Sequence, residues 1–325
     1  MVHARRRATL AAALSLLAGA ALAEPAIVYS TGGKFDASFN EAAFRGVERH
    51  EAATGADVAE FEPRTVDQMT QALKRFAAQG RDPVAAIGFL QTGAVAEAAA
   101  EHPDTRFAIV DAAVEAPNVQ SVVFREAEGA YVVGVLAALA SDSGVVGVVG
   151  GMDIPLIRRF ACGFAQGVKA TDPEAEVLFA AAGDTPAAWS DPARGAELAR
   201  AQIARGADVI MQAAGGTGIG VLQAAADAGA LGIGTDSDQN ALHPGQVLTS
   251  MRKRTDVAVE RAFSGWAPGV ASLGLAEGGL DWTLNEHNAA LITPEMRAAA
   301  EAAEAGIVSG EVEVIDGVEG ECPVL

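Results

Sequence analysis

The sequence predicts an α/β protein of two lobes, each an open, doubly wound and mostly parallel sheet, joined by a hinge of several strands. Three observations carry that expectation. Short apolar runs alternate with segments whose apolar residues recur every three or four positions. The alternation comes in two sets, one before and one after about Ser141, each long enough for a lobe. No Pro- or Ser-rich linker separates them, and the strand-like segments near 120 and 248 lose their companion helices. Such a chain crosses between its lobes more than once, which makes a hinge and not a tether.

The elements follow in order. "AIVYS", "ADVAEFE", "VAAIGFL" and "RFAIVDA" read as strands of the first set; "GVVGVVGG", "AEVLFAA", "ADVIMQAAG", "LGIGTDS" and "QVLTSMRK" read as strands of the second. Val66 to Ala78 and Ala193 to Ala204 carry the helical period. The expected division is a leader over 1–23, a first lobe over 24–140 with about 253–285, and a second over 141–252 with about 286–325.

The leader rests on Arg5, Arg6 and Arg7 before an apolar run from Ala8 to Leu22, with Ala21-Leu22-Ala23 as a small-x-small cleavage site ahead of Glu24. That run is shorter than the roughly 20 residues a membrane span needs. Export to the periplasm as a soluble chain is expected. With no cysteine near the cut, no lipid anchor is expected.

Of the 325 residues half are hydrophobic, enough for a large core, and only 5% are aromatic, so the position of each ring is informative. The net charge is −19, and loss of the three leader arginines leaves 20 basic against 42 acidic side chains, or −22. That balance repels nucleic acid and anionic lipid. Cys162 and Cys322 are the only cysteines and lie in no metal or redox motif. In an oxidising compartment the pair reads as one disulfide, with two separate buried thiols as the alternative.

Ligands of open α/β sheets sit beyond the carboxyl ends of the strands. Ser30, Asp111, the Gly215-Gly216 pair and Asp236 occupy such ends in both sets, so a cleft between the lobes follows. Known chemical signatures are missing. From Gly216 a GxGxxG frame would need glycine at 221, which is Val221, so no dinucleotide cofactor is expected. The glycines instead allow close backbone approach to a ligand, or tight helix packing. His50, His102, His243 and His287 show no metal-ligand spacing, and neither a GxSxG elbow nor a Walker loop is present. Nothing supplies a nucleophile or a metal site, so a binding protein is expected before an enzyme.

Five stretches, "GGKFDASFNEAAFRG", "VVFREAEGAYVVG", "VVGGMDIPLIRRFACGFAQG", "AAGGTGIGV" and "IGTDSDQNALHPGQVLTSMRK", together resemble the basic membrane protein family of ABC-importer solute-binding proteins, related to purine nucleoside receptors. The resemblance runs through nearly the whole chain after the leader. It implies a type I periplasmic-binding-protein fold, a nucleoside held between the lobes, and an ABC permease and ATPase as partners of a monomeric receptor. It also implies roles: Phe39 stacks on the base, Asp111 bonds its edge, and Asp236 and Lys253 hold the sugar hydroxyls.

The residue types suit those roles. A base offers a flat face and edge donors, which rings and a few fixed acceptors can read. Vicinal hydroxyls can donate to a carboxylate while an ammonium donates to their oxygens. Asn40 is expected to grip the base beside Phe39, and Trp189 to form a cleft wall. Each assignment has an ordinary alternative: Phe39 as core, the aspartates as turn caps, Lys253 in the solvated run Arg252 to Arg254, Trp189 as a loop anchor. Phe35 is expected in the core. Ser30 stands where many relatives carry an acid, and Met211 where they carry an aromatic. Serine still bonds a base edge and a thioether still packs on a ring, which leaves the preferred base open, with purines favoured.

Overall fold

The computed structural model describes residues 23–317 and Cys322, so the leader lies outside the described residues. The first sheet holds β1 (Ala26–Val28), β2 (Ala59–Phe61), β3 (Val84–Ile87), β4 (Phe107–Val110) and β5 (Val119–Phe124). Helices α1 (Phe39–Thr54), α2 (Val66–Ala78) and α3 (Thr92–Glu101) connect the first four of these strands. Helix α4 (Glu126–Ala140) leads to β6 (Val145–Met152), α5 (Pro155–Thr171), β7 (Glu176–Gly183), α6 (Pro192–Ala204), β8 (Val209–Ala213), α7 (Thr217–Asp227), β9 (Leu231–Thr235) and β10 (Val247–Lys253). The last described elements are α8 (Thr255–Ser264), β11 (Gly269–Leu273), β12 (Leu280–Trp282) and α9 (Pro294–Ser309).

Periodicity explains the elements. Strands β1, β3, β4 and β8 are buried along their whole length, as expected of central parallel strands covered by helices on both faces. Helix α2 buries Met69, Ala72, Leu73, Phe76 and Ala77, one stripe at three- and four-residue spacing, and Thr65 caps it by accepting from the Gln68 amide.

Both sheets repeat one topology. The order β2-β1-β3-β4-β5 with β11 at the edge is matched by β7-β6-β8-β9-β10 with β12 at the edge. Every pairing is parallel except β10 with β12. Strand direction of connection reverses between β1 and β3 and between β6 and β8, and the carboxyl ends at these two switch points face one cleft.

The chain passes between the sheets after β5, after β10 and after β11. These crossings lie side by side: the Arg125 amide donates to Leu273 O (3.0 Å) and the Arg254 amide to Gly279 O (2.9 Å). The Arg125 guanidinium also pairs with Glu128 and Glu277.

Two parts of the expected division differ. Helix α4, expected with the first lobe, packs on α5, α9, β10 and β12 of the second. Glycines make this possible: a Cβ on Gly163 would lie 2.2 Å from Ala127 O, one on Gly167 2.0 Å from Tyr131 O, and one on Gly134 2.3 Å from Phe164 O. The first crossing therefore falls near Arg125 and not near Ser141. Strand β12, expected within the first lobe, pairs with β10 of the second sheet. Cys162 of α5 is bonded to Cys322, and Gln166 lays the tail on the same helix through the Ile315 amide (2.9 Å) and carbonyl (2.7 Å).

Two measurements check this packing. Gly167→Ala is expected to cost about 1–3 kcal/mol by overpacking the helix contact. Gly93→Ala, in α3 where a Cβ meets nothing within 4 Å, is expected to gain about 0.5–1 kcal/mol through helix propensity. Urea midpoints at unchanged m-value report both, and equal shifts would disprove the close α4–α5 approach. Thiol titration of the unreduced, denatured chain is expected to find no free thiol; two would break the Cys162–Cys322 pairing.

Candidate functional site

One cavity lies between the lobes at the strand ends, enclosing about 560 Å³ not filled by protein atoms, part of it open to solvent. The first lobe contributes Ser30 after β1, Phe39 and Asn40 at the start of α1, Phe89 after β3 and Asp111 after β4. From the second come Phe160 of α5, Trp189, Gly215 after β8, Asp236 after β9 and Lys253 ending β10.

The Lys253 ammonium is the centre of this arrangement. It donates to Asp111 Oδ2 at 2.7 Å and lies 3.8 Å from Glu126 Oε1 and 3.9 Å from Asp236 Oδ1, with all four side chains buried. The rings of Phe39, Phe160 and Phe124 surround it at 4.7, 5.5 and 5.6 Å from their centroids. Burial alone would pull the ammonium pKa down, but the three acids outweigh it and hold it above the ordinary lysine value. Burial raises Glu126 to about 8 despite Lys253, and it also raises Asp236. Both Glu126 oxygens lack a hydrogen-bond partner among the described residues; Arg159 stands 3.8 Å away.

Backbone geometry sets the two cavity aspartates. Asp111 (φ 68°) and Asp236 (φ 71°) both adopt the left-handed conformation, uncommon outside glycine and concentrated at functional positions. Neighbouring strands impose it, since the Asp111 amide donates to Val122 O, the Asp236 amide to Met251 O and the Lys253 amide to Asp236 O.

Direct bonds hold the lobes together beside the cavity. Ser38 Oγ donates to Asp236 Oδ2 (2.7 Å) and Thr235 O (3.2 Å), Ser237 Oγ to Ser38 O (2.7 Å) and Gln239 Nε2 to Ala37 O (2.9 Å). Asp36 caps α1 beneath them, accepting from the amides of Ser38, Asn40 and Glu41. Burial raises its carboxyl to about 6, against those three amides.

Seven of the nine residues expected at the site line the cavity: Ser30, Phe39, Asn40, Asp111, Trp189, Asp236 and Lys253. The Asn40 amide is spent on its own loop, accepting from the Ser30 amide (2.9 Å) and donating to Gly33 O (3.1 Å). Lys253 is not part of a solvated run, because β10 turns its side chain inward. Met211 is corrected: it is buried in the middle of β8 between Val148 and Ile233, and Ala213, two residues on, reaches the cavity. Gly216 is displaced by one residue, for Gly215 lines the cavity while Gly216 sits against the Trp189 carbonyl. Phe35, expected in the core, is 71% exposed, packed edge-on against Phe44. Asp36 turns inward in its place to cap α1.

Sequence reasoning missed other lining residues, Phe89, Ile157 and Phe160 among them. The scarcity of aromatic residues was the signal for the two phenylalanines. Among the described residues no cluster of His, Cys, Asp and Glu could hold a metal ion, and no helix is long and apolar enough to cross a membrane.

Two lobes joined by three crossings, with a polar and aromatic cavity between them, define a solute-binding protein of the type I fold. The model of the family described as "ABC transporter substrate-binding protein PnrA-like", or Bmp, matches residues 24–293, and the chain belongs to that family. An uncharacterized lipoprotein of Pyrococcus furiosus is 32% identical over 282 residues, covering 80% of this chain and 70% of the relative. The ABC transporter nucleoside-binding protein BmpA of Lactococcus lactis is 30% identical over 320 residues, covering 89% and 88%. Among solved structures, an ABC transporter solute-binding protein of Aeropyrum pernix superposes with a TM-score of 0.81 at 27% identity, covering 91% of this chain and 94% of the other.

Glu126 generates a pH prediction. Its folded-state pKa of about 8 exceeds the ordinary 4.5, so between those values the folded chain holds a proton that the unfolded chain has lost. Stability from this group is full below about 4.5 and falls as pH rises through 8, on the order of 1 kcal/mol per pH unit. Glu126→Gln removes that slope. Between pH 6.5 and 8 the melting temperature of wild type is expected to fall more than that of the variant. Parallel curves would mean that Glu126 is ionised throughout.

Proposed function

We propose that this chain is the exported, periplasmic and monomeric receptor of an ABC importer, capturing a nucleoside between its lobes, purine favoured, for delivery to permease and ATPase subunits. The carrying observation is the pairing of aromatic walls from opposite lobes, Phe39 and Trp189, with the buried Asp111–Lys253–Asp236 set in one cavity. In this reading Phe39 stacks on the base, Trp189 walls the cleft beside it, Ser30 and Asp111 meet the base edge, and Asp236 and Lys253 hold the sugar hydroxyls. A ligand touching both lobes favours the closed arrangement by its difference in affinity for closed and open forms. The relative named as a nucleoside-binding protein supports the reading.

Calorimetry with adenosine, guanosine, inosine, cytidine, ribose and glucose tests it. Purine nucleosides are expected to bind most tightly, with a change in Trp189 emission; a hexose bound tightly with no response to any nucleoside would overturn the reading. Asp236→Ala is expected to weaken nucleoside binding by about ten- to a hundred-fold, the value of a charged bond to buried hydroxyls. Unchanged affinity would reduce Asp236 to its bond with Ser38.

A further inference from the structure

Some hydrogen-bonding atoms around the cavity are left unpaired by the protein. Trp189 Nε1, Thr31 Oγ1 and Asp111 Oδ1 are buried, belong to cavity-lining residues and have no hydrogen-bond partner among the described residues. Asp111 uses its other oxygen on Lys253. The indole has only one polar atom, so the hydrogen-bonding capacity of Trp189 is wholly unspent. Buried indole N–H groups ordinarily find an acceptor, and Trp266 shows the ordinary case by donating to Phe107 O at 2.7 Å.

The seat of Trp189 fixes which edge of the ring is anchored. A Cβ on Gly151 would lie 2.3 Å from Cζ3 and 2.4 Å from Cε3, so the benzo side of the ring rests where only glycine leaves room. Gly215 lies against Cε3 as well. Nε1 is on the opposite edge of the indole, away from both glycines. Phe89 of the first lobe meets the ring edge-on at 6.2 Å, completing its packing without supplying an acceptor.

We propose that Trp189 is a specificity-determining donor as well as a wall: its indole N–H gives a hydrogen bond to an acceptor atom of the bound nucleoside. The proposal rests on the nucleoside reading above. A ring face such as that of Phe39 accepts any base, because every base has a π face. A fixed N–H discriminates, because a ligand presenting a C–H or a second donor at that point leaves a buried donor unpaired. Base choice then depends on where the ligand carries its acceptor.

The test is calorimetry on the mature full-length chain and on Trp189→Phe, which keeps an aromatic ring and removes the N–H. Parent purine nucleosides are compared with analogues lacking one acceptor each: the 1-, 3- and 7-deaza forms, the form without a 6-substituent, and the 2′-, 3′- and 5′-deoxy forms. W189F is expected to bind the parent about 5- to 30-fold more weakly than wild type does. One analogue is expected to lose a similar factor on wild type yet bind W189F as well as the parent does. Ratios taken within each protein cancel any general loss of stability. Parent affinity of W189F within twofold of wild type overturns the donor, and so does an equal loss for the parent and every analogue. If wild type binds no nucleoside at all, the functional reading fails and the donor falls with it.

Discussion

Everything in the cleft depends on one buried cation. Lys253 stands where four strand ends and crossings meet, and its ammonium is what allows Asp111, Asp236 and Glu126 to approach one another inside the protein. Like charges at such distances in a water-poor interior repel strongly, and each carboxylate also loses its hydration. With one lysine among three acids, burial holds two of the carboxyls above their ordinary values, Glu126, wholly buried and without a hydrogen-bond donor among the described residues, and Asp236. The surrounding phenylalanine rings offer their negative faces to the ammonium and keep water away. Asp111 comes from the first sheet and Asp236 from the second, so the same cation ties the lobes electrostatically.

That centre is positioned by topology more than by local sequence. The two sheets share one strand order, and their switch points face each other, so loops after β1, β3 and β4 meet loops after β6, β8 and β9. The left-handed aspartates then aim their carboxylates at Lys253. Hydrogen bonds from Ser38, Ser237 and Gln239 add a seam between the lobes next to Asp236. Electrostatic centre and seam share that aspartate, which couples the chemistry of the cavity to contact between the lobes.

Much of this was legible in the sequence, and the failures have physical causes. All nine apolar runs read as strands contain strands, because buried parallel strands concentrate β-branched and aliphatic residues in runs too short for helices. Strands β11 and β12 escaped notice, being short edge strands, with β11 largely exposed and lacking the apolar run. Helix α4 was assigned to the wrong lobe because it is apolar nearly all round, so its pattern names no partner; glycine contacts with α5 decide the matter, and those are invisible until the backbones meet. Polar residues at strand ends predicted the charged part of the cavity lining, Asp111, Asp236 and Lys253, together with Ser30. Met211 failed because it lies two residues inside the strand end, and Phe160 was missed because it comes from a helix face and not from a strand end.

The three crossings have a further consequence for how the molecule comes into being. Edge strand β11 pairs with β5 across about 145 residues of chain, and β12 closes the second sheet beside β10 only after β11 has returned to the first. Neither sheet is complete until residues 269–282 are available, so neither lobe exists as a contiguous fragment that can be cut out whole. A chain emerging from its amino terminus holds two unfinished sheet edges until its last quarter is in place. Such long-range pairing slows folding, and it leaves the last strand of each sheet to residues 269–282.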